Sequence, residues 1–370
     1  MEPFVPDPLP IEGLDWQGLM PIVGQANRAL ARYDGILMGI PSPEVLLSPL
    51  TTQEAVLSSS IEGTQATLGD VLQFDSGQEP ELASRKQDIG EIINYRKALH
   101  AAERELANKP FHLNMLKRLH AILLNSVRGQ DKRRGQFRTT QNFIGKPGTT
   151  IAEAYFVPPS PLVLQEHLRS WECYYHTDRP DPLVQLAIVH AQFEVLHPFD
   201  DGNGRLGRII IPLFLFEKQL LPRPMFYMSG WLERHRGEYI ARLRAIGREP
   251  DAWTAWIRFF LTGLAEQAKD NCDKARAIMD LYAELKQRAL EVTRSQFAVP
   301  MLDQMFERPI FTSSLFTFQG TPPTSATVSN LLRSMRENGL VKVLREGSGR
   351  RGTVYVLARL LNLCEGREVY

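Results

Sequence analysis

The segment HPFDDGNGRLGR, residues 197–208, constrains the fold of this chain more than any other feature. It is preceded by the apolar run LVQLAIVHAQFEVL and followed by a second one, IIIPLFLFEKQLL. A run that is apolar on nearly every face predicts a buried helix. The chain must therefore bring two core helices together around a short, strongly charged turn. A plain connection needs a turn and a helix cap, but neither a histidine nor two spaced arginines.

The glycines of this turn indicate an anion site. Gly202, Asn203 and Gly204 permit backbone conformations that bulkier residues resist, and they stand where the second helix begins. A helix N-terminus has unpaired N–H groups and a positive dipole end, which together bind anions. Arg205 and Arg208 lie on the first turn of that helix, where cations are unfavourable unless an anion is bound. We therefore predict a polyphosphate ligand.

Two further residues of the turn indicate metal and proton chemistry. Asp201 stands beside the phosphate site, as do the carboxylates that hold Mg²⁺ together with phosphate oxygens. His197, neutral near pH 7, can take a proton from an attacking hydroxyl. The alternative is a capped turn between core helices, with a buried histidine and solvated arginines. That alternative suits each residue alone, but it does not account for all of them together.

Composition sets broad limits on the class of protein. The chain has 370 residues, of which 43% are hydrophobic and 23% charged, so we expect a globular protein of more than one domain. Lys+Arg number 43 against 42 Asp+Glu, which argues neither for nor against a nucleic-acid partner. The three cysteines lie far apart, which fits a reducing compartment. We see neither a secretory signal nor a membrane span, and expect a cytoplasmic protein.

Apolar periodicity predicts helices along most of the chain. A short helix from Thr51 is expected to end at Gly63, and two short runs around Phe143 and Phe156 indicate a hairpin. A charged helical segment joins the central region to a C-terminal part of different character. We expect four parts: an N-terminal helical region (1–105), a core (106–268), a linking helix (269–294) and a C-terminal domain (295–370).

The C-terminal domain has the pattern of a winged helix. From Ser325 to Arg359 the sequence predicts helix, strand, turn and strand, with an excess of basic residues over Glu337 and Glu346. These basic residues are Arg333, Arg336, Lys342, Arg345, Arg350, Arg351 and Arg359. One interpretation is DNA contact, with the helix in the major groove and Arg350–Arg351 on the wing. The other is docking of a protein or a second copy of the chain, and the sequence leaves both open.

The central segment resembles the signature of Fic-domain proteins, HxFx(D/E)GNGRxxR, and matches it at every specified position. The stretch GQFR…NFIG…AYFVPPSP, about residues 137–157, is similar to the Fic flap hairpin. SSSIEGTQ is similar to the inhibitory motif (S/T)xxxE(G/N), with Ser58, Glu62 and Gly63 at the matching positions. The resemblance covers roughly residues 45–265. It implies a mainly α fold, in which a helical core carries a β-hairpin flap.

The resemblance also implies an activity, the transfer of AMP from ATP to serine, threonine or tyrosine hydroxyls of proteins, including the enzyme itself. His197 would be the general base, and Asp201 would hold Mg²⁺ against the α- and β-phosphates. A pair between Glu62 and Arg208 would restrain the reaction, with Ser58 on the same helix face. The implied ATP-binding set is Glu62, His197, Gly202, Asn203, Gly204, Arg205, Leu206, Gly207, Arg208 and Tyr239.

The partners implied are ATP and a protein substrate whose backbone pairs with the flap. A homodimer and DNA are further candidates. Two alternatives to AMP transfer stay open at this point. One is a DNA-binding regulator whose Fic-like domain only senses a nucleotide, although pure sensing does not need His197. The other is a Fic enzyme that uses a different donor, transferring UMP or phosphocholine, or that removes AMP.

Overall fold

A computed structural model describes residues 2–146, 148–349 and 351–370. The described chain is mainly helical, and the prediction of this fold class is confirmed. Its helices are α1 (Trp16–Gly39), α2 (Pro43–Leu46), α3 (Ser48–Ile61), α4 (Leu68–Asp75), α5 (Ala83–Leu106), α6 (Leu113–Leu123), α7 (Pro161–His176), α8 (Pro182–Leu196), α9 (Asn203–Glu217), α10 (Ser229–Arg234), α11 (Arg236–Ala245), α12 (Ala252–Thr293), α13 (Ala298–Glu307), α14 (Ser325–Glu337) and α15 (Ala358–Glu365).

The two apolar runs form α8 and α9, as their composition predicts. Asp181 caps α8 by accepting hydrogen bonds from the N–H groups of Leu183 and Val184, and Pro182 occupies the first helical turn. Nearly every residue of α8 is buried, and the helix packs against α7, α9 and α11. It ends at His197, whose φ of 46° turns the chain into the charged loop that leads to α9.

The described chain forms two compact units that interleave in sequence. The first unit comprises residues 1–34, 57–64 and 93–269, and the second comprises residues 35–56, 65–92 and 270–370. The helix α12 is continuous through residue 269, because its apolar stripe continues past that position with Ile278, Leu281 and Leu285. The four-part division expected from the sequence stays a prediction.

The flap has less regular strand pairing than the two short apolar runs indicate. Ile144 and Phe156 form an antiparallel bridge, in which the Ile144 N–H donates to Phe156 O at 2.8 Å and the Phe156 N–H donates to Ile144 O at 3.2 Å. Between them the chain makes a short 3₁₀ turn over Ile151–Glu153. Pro147, in the predicted hairpin turn, lies outside the described residues. The paired base of the flap packs against the first unit's core.

The base of the flap is anchored by aromatic and apolar packing. Ile144 and Phe156 pack with Phe4 and Val195, and the Phe4 N–H donates to Val157 O at 2.9 Å. The guanidinium of Arg244 on α11 lies 4.7 Å from the ring centroid of Tyr155, over its face. These contacts tie the flap to the N-terminal residues and to α8 and α11.

In the second unit, residues 310–356 contribute a three-stranded antiparallel sheet in the order β1-β3-β2. Its strands are β1 (Ile310–Thr312), β2 (Lys342–Arg345) and β3 (Val354–Val356). The helix, strand, turn and strand predicted from Ser325 onward are present as α14, β2 and β3. Strand β1, which the sequence analysis did not predict, pairs with β3. The identification as a winged helix stays a prediction.

One basic residue of this segment, Arg359, is engaged within the protein. Arg359 makes a two-pronged salt bridge with Glu284, at 2.6 and 2.7 Å. Arg350, predicted on the wing, lies outside the described residues. DNA binding through this segment therefore stays a prediction. Separately, none of the described helices combines the length and the apolar character that crossing a bilayer requires.

Candidate active site

A buried arginine at the base of the flap bonds to the charged loop between α8 and α9. Arg138 is 2% exposed, and its Nε donates to His197 O at 2.9 Å. Its Nη2 donates to Pro159 O at 2.5 Å and to Leu196 O at 3.3 Å. Burial lowers the pKa of Arg138 to about 10, with an opposing effect of Asp200, so the group stays charged at neutral pH. It fixes His197 in its left-handed backbone conformation.

Asn203 closes the loop on itself. Its Oδ1 accepts a hydrogen bond from the Phe199 N–H at 2.9 Å, and its Nδ2 donates to Phe199 O at 2.8 Å. Because both ends of the amide are engaged, the Asn203 side chain acts as a brace. Any contact of Asn203 with an anion would come from its backbone N–H.

His120 on α6 supports the same loop, and the sequence analysis did not single it out. Its ring stacks on Phe199 with centroids 3.9 Å apart, and its Nε2 lies 3.0 Å from Asp201 O. The Gly135 N–H donates to His120 Nδ1 at 2.8 Å, so Nδ1 is unprotonated and Nε2–H donates to Asp201. Burial lowers the pKa of His120 to about 4, which keeps this tautomer neutral.

The N-terminus of α9 lies at the predicted anion site, and anion binding there stays a prediction. Gly202 has a φ of 77°, and the first helical hydrogen bond is from the Leu206 N–H to Gly202 O at 3.1 Å. No side chain of the described residues caps this helix, so the N–H groups of residues 203–205 lie at an uncapped end. Arg205 is 4% exposed, with Nη2 at 3.6 Å from Asp201 Oδ1.

Leu206 and Gly207 lie on the buried side of the same helix turn. The Leu206 side chain is fully buried, so it faces the core. The carbonyl oxygen of Gly207 lies 3.0 Å from Nδ1 of His190. A contact of these two residues with a nucleotide would have to use the backbone.

Arg208 is 2% exposed and surrounded by acceptors from the end of α3. Its Nε donates to Ser58 Oγ at 2.8 Å, and its Nη2 donates to Ser58 O at 2.8 Å and to Glu62 Oε1 at 2.6 Å. Glu62 follows the last residue of α3, and Gly63, with a φ of 97°, ends the helical conformation there. This places the carboxylate at the negative end of the helix dipole, where it needs a cation.

Charge coupling between Glu62 and Arg208 outweighs the effect of burial on both groups. Burial raises the pKa of Glu62, and the charge and hydrogen bond of Arg208 lower it. The lowering is larger, so the pKa of Glu62 lies below its usual range. For Arg208, burial lowers the pKa and the neighbouring Glu62 raises it, with a net rise. Both groups are charged across the neutral range, although the Glu62 side chain keeps 40% of its surface exposed.

A cleft of about 430 Å³ opens over these residues. His197, Gly204, Arg208 and Glu62 line its polar side, and Gly204 lies so close to the Glu62 carboxylate that a Cβ there would collide with Oε1. The remaining walls are Ile61, Phe143, Ile144, Gly145, Phe156, Glu194, Val195, Arg236, Tyr239, Ile240, Leu243 and Arg244. The cleft thus combines a polar side, which carries the Arg208–Glu62 ion pair, with apolar side chains from the flap and α11, and this combination suits a nucleotide.

His197 enters this cleft in its neutral form. Burial lowers its pKa to about 4, and the Glu194 backbone carbonyl opposes that shift. Neutral imidazole can accept a proton, so the geometry and the charge state both suit a general base.

Asp201 is the carboxylate best placed to hold a metal ion at this site. Each aspartate has an arginine nearby, Arg205 for Asp201 and Arg133 for Asp200, but the Asp201 side chain is 43% exposed and that of Asp200 only 18%. The described residues contain no group of three or more His, Cys, Asp or Glu side chains able to hold a metal alone. A single exposed carboxylate beside an anion cradle nevertheless fits Mg²⁺, which binds through one or two carboxylates and substrate phosphates.

Three buried residues at the cleft have contacts that the sequence did not indicate. Tyr239 was assigned from the resemblance alone, while His190 and Glu194 were regarded only as members of an apolar helix. In the structure, all three lie close to Arg208: His190 Nε2 is 2.9 Å from Tyr239 Oη, and the Glu194 carboxyl packs against Gly207. The available signal was the presence of polar residues within the apolar run HAQFEVL.

Glu194 makes the stability of the protein depend on pH. Its Oε1 is buried without a hydrogen-bond partner among the described residues. Burial raises its pKa to about 7, Arg208 opposes the rise and Glu62 adds to it. The folded state therefore binds more protons than the unfolded chain above a pH of about 4.3, and stability from protonated Glu194 is lost as the pH rises toward 7. The side chain of Glu194→Gln stays neutral at every pH. The free energy of unfolding of this variant, relative to wild type, should therefore increase by on the order of 1–3 kcal/mol from pH 5 to pH 8.

Urea unfolding at pH 5 and pH 8 measures this difference. Glu249→Gln, which changes an exposed carboxylate, is the control and should track wild type at both pH values. Equal stability differences between Glu194→Gln and wild type at the two pH values would contradict the assignment.

Comparison with known proteins places these features in a family context. Residues 20–104 match the Fic/DOC family N-terminal region, and residues 110–215 match the Fic/DOC family itself. The two matches together cover just over half of the chain. They include Ser58, Glu62 and the whole of the charged loop.

Curated relatives are similar over part of the chain. A probable protein adenylyltransferase of Aquifex aeolicus is 36% identical over 100 residues, which are 27% of this chain and 29% of the relative. The protein adenylyltransferase fic-1 of Caenorhabditis briggsae is 28% identical over 171 residues, 44% of this chain and 31% of the relative. The matched regions therefore span less than a third of the length of these two relatives.

Solved structures share the fold. A Fic family protein from Desulfovibrio desulfuricans G20 has a TM-score of 0.59 and 19% identity, covering 96% of this chain and 98% of the other. Residues 134–508 of Fic-1 from C. elegans give a TM-score of 0.55 and 18% identity, covering 71% of this chain and 74% of the other. At these identities, the likeness concerns the fold.

Proposed function

This chain belongs to the Fic/DOC family, and from that premise we propose that it is a protein adenylyltransferase that transfers AMP from ATP to protein hydroxyls. One observation supports this most directly. A neutral His197 shares a cleft with an uncapped helix N-terminus and a buried Arg208, whose partner is a carboxylate that a phosphate can replace. The names of the curated relatives, protein adenylyltransferases, support the same activity.

In the proposed reaction, His197 removes the proton of the target hydroxyl as its oxygen bonds to the α-phosphorus of ATP. The bond from that phosphorus to the bridging oxygen breaks, and pyrophosphate leaves. The N–H groups at the start of α9, together with Arg205 and Arg208, hold the phosphate charge in place. Such positioning and charge neutralisation account for most of the catalysis of phosphoryl-type transfers.

Mg²⁺, held by Asp201 and phosphate oxygens, would neutralise negative charge that develops on the phosphates. The residues of the chain do the remaining work. Arg138 bonds to the backbone of His197 and His120 to that of Asp201, so both support the conformation of the loop that carries these two residues. Asn203 prevents the loop from opening.

The flap, about residues 137–157, is the proposed docking site for the target protein. The described part of the flap has one bridge, Ile144 to Phe156, so other backbone groups next to the cleft could pair with an extended segment. Backbone pairing carries little sequence information, so specificity for a target would come from contacts elsewhere. The hydroxyl to be modified would then enter the cleft beside His197.

We assign Glu62 a regulatory role in this proposal. Arg208 cannot bind a terminal phosphate fully while two of its nitrogen atoms are engaged by Ser58 and Glu62. ATP that binds under these conditions would be displaced from the pose in which the α-phosphorus is in line with the attacking oxygen. The enzyme is therefore expected to have low basal activity.

Asp201→Ala should reduce the dependence of ATP binding on Mg²⁺. Loss of the carboxylate removes the only ligand that the proposal gives the metal from the chain, while Arg205 and Arg208 still attract the phosphates. The stimulation of ATP affinity by millimolar Mg²⁺, measured by calorimetric titration, should fall at least about tenfold. Asp200→Ala is the matched control and should retain it. The opposite pattern would move the metal ligand to Asp200.

The activity itself is tested by incubating the purified protein with α-labelled ATP, GTP, CTP or UTP and Mg²⁺, with and without Glu62→Gly. Intact-mass measurement of the protein and of added candidate substrates identifies the group transferred. An added AMP mass from ATP supports the proposal. UMP transfer, or removal of AMP from a modified protein without transfer, would replace it with another Fic reaction.

A further inference from the structure

The backbone of the chain is held by two side chains three residues after Glu62. The Gln65 N–H donates to Asp88 Oδ2 at 2.9 Å, and the Gln65 carbonyl oxygen accepts a hydrogen bond from Arg85. Both side chains belong to the first turns of α5. The donor and the acceptor of this one peptide segment are therefore engaged by the same helix.

Arg85 also joins Gln65 to the start of α4. Its Nη1 lies 3.2 Å from Asp70 Oδ2, and Asp70 forms the capping box of α4 with Thr67. A cation in the first turn of a helix, as Arg85 is on α5, is unfavourable unless an anion or an acceptor lies near it. The Asp70 carboxylate and the Gln65 carbonyl supply this compensation. We call Gln65, Asp70, Arg85 and Asp88 the Gln65 latch.

The helix that carries the latch has an anchor of its own. Arg85 and Asp88 lie one turn apart on α5, and Asp88 is buried. Further along α5, the buried Asn94 donates through Nδ2 to Leu123 O at 3.2 Å and to Asn125 O at 2.8 Å. These two acceptors stand at the end of α6 and just after it. The position of α5 therefore does not depend on the contact between Glu62 and Arg208.

We propose that Arg85 and Asp88 are positioning residues of the inhibitory contact, which hold Gln65 and thereby keep the Glu62 carboxylate on Arg208. This inference rests on the proposed function, because it concerns the regulation of the same site. Three residue steps span at most about 10 Å, so a fixed Gln65 confines the Cα of Glu62 to a small volume. Such confinement raises the effective concentration of the carboxylate at Arg208.

The alternative is that these contacts stabilise the fold around α4 and have no influence on Arg208. The salt bridge between Arg85 and Asp70 is partly exposed, and exposed salt bridges add little to stability. The two interpretations differ in their dependence on Glu62. A latch that acts through Glu62 has no effect on transfer once that carboxylate is removed, whereas a defect in the fold acts in its presence and in its absence.

The test measures AMP incorporation at fixed ATP and Mg²⁺ for full-length variants, made in wild type and in the Glu62→Gly background. Arg85→Ala removes the donor to the Gln65 carbonyl, and Asp88→Ala removes the acceptor of the Gln65 N–H. Asp88→Asn keeps an acceptor oxygen at similar volume. Lys86→Ala is the matched control, because Lys86 is the neighbouring cation of α5 and its salt bridge, at 2.7 Å, is to a carboxylate outside the latch.

In wild type, Arg85→Ala and Asp88→Ala should raise incorporation by about three- to tenfold, because each loses a hydrogen bond to a charged group and part of that stabilisation is transmitted to Glu62. Asp88→Asn should stay within about twofold of wild type, since it retains the acceptor. Lys86→Ala should match wild type. In the Glu62→Gly background, all four variants should match their parent.

Two outcomes would overturn the inference. One is unchanged incorporation by Arg85→Ala and Asp88→Ala in wild type. The other is an equal gain in the two backgrounds, which would show that the effect does not pass through Glu62. If Asp88→Ala does not fold, Arg85→Ala, in which the altered side chain is 34% exposed, decides alone.

Hydrogen exchange tests the same inference without any transfer reaction. The N–H groups of residues 62–64 donate to carbonyl oxygens of Ser59 and Ser60 at 2.9–3.1 Å, so their exchange reports the opening of this turn. Arg85→Ala should accelerate the exchange of these amides at least about threefold, and Lys86→Ala should leave it unchanged. Equal exchange in Arg85→Ala and wild type would contradict the latch.

Failure of the proposed function has a different signature. A Glu62→Gly parent that binds ATP but transfers no AMP would refute the transferase assignment, and the exchange measurement would still decide whether the latch holds the segment. A parent that transfers AMP, together with wild-type exchange in Arg85→Ala, would refute the latch alone.

Discussion

Glu62→Gly should raise AMP incorporation by about 10- to 100-fold at fixed ATP and Mg²⁺. The substitution removes the carboxylate that lies 2.6 Å from Arg208 Nη2. A hydrogen bond between charged groups contributes about 1.5–3 kcal/mol, which corresponds to roughly that range in the fraction of productive complex. Because the pKa of Glu62 lies below its usual range, the carboxylate is ionised throughout the neutral range, and the effect should not depend on pH there.

Two further variants test which contacts of Arg208 restrain the reaction. Glu62→Gln keeps the side chain against Gly204 but weakens the interaction with Arg208, so its activity should fall between wild type and Glu62→Gly. Ser58→Ala removes one neutral acceptor and should raise incorporation by less. Thermal unfolding of all three should stay close to wild type. Equal or lower incorporation by Glu62→Gly would exclude the regulatory role while leaving the transferase assignment standing.

His197→Ala should abolish AMP transfer while ATP still binds. Removal of a positioned general base reduces a rate by about 10²–10⁴, whereas the phosphates are held by α9 and its arginines. The variant is best made in the Glu62→Gly background, in which the starting rate is high enough to measure such a loss. Calorimetric ATP affinity should change less than about threefold. Transfer at the parental rate would show that another group takes the proton.

The pKa of His197 also determines how the activity of the Glu62→Gly variant should depend on pH. Burial holds the pKa at about 4, so the imidazole is unprotonated and competent at all higher pH values. As the pH falls toward 4, the base becomes protonated and activity is lost. The acidic limb of kcat/KM in the parent should therefore lie well below the ordinary histidine value of about 6.5.

The sequence was most informative where structure and chemistry both lie in consecutive residues. The apolar runs predicted α8 and α9, and the glycines predicted the loop between them, because helical periodicity and glycine conformation are local properties. The contact between Glu62 and Arg208 joins residues far apart in the chain, and only the family resemblance suggested it. The sequence alone has no signal for such a distance.

The residues that the sequence analysis missed share a different character. His120, His190 and Glu194 lie in helices whose composition is apolar, so their polar groups could only be regarded as exceptions within a core stripe. Their roles depend on which atoms of other segments meet them: Gly135 and Asp201 for His120, and Gly207 and Tyr239 for His190. Short apolar runs do not specify how many residues pair, so the extent of pairing in the described part of the flap could not be predicted from the sequence.

The segment that carries Ser58 and Glu62 is covalently part of the chain whose Arg208 it engages. Its effective concentration at Arg208 is therefore set by the connecting chain and does not change when the protein is diluted. A free inhibitor would dissociate as its concentration fell, whereas an inhibitory segment within the chain, as proposed for Ser58 and Glu62, would not respond to dilution. Activation would require a ligand or partner that competes locally for Arg208 or draws the end of α3 away. The level of activity would then follow the supply of that ligand or partner and not the abundance of the enzyme.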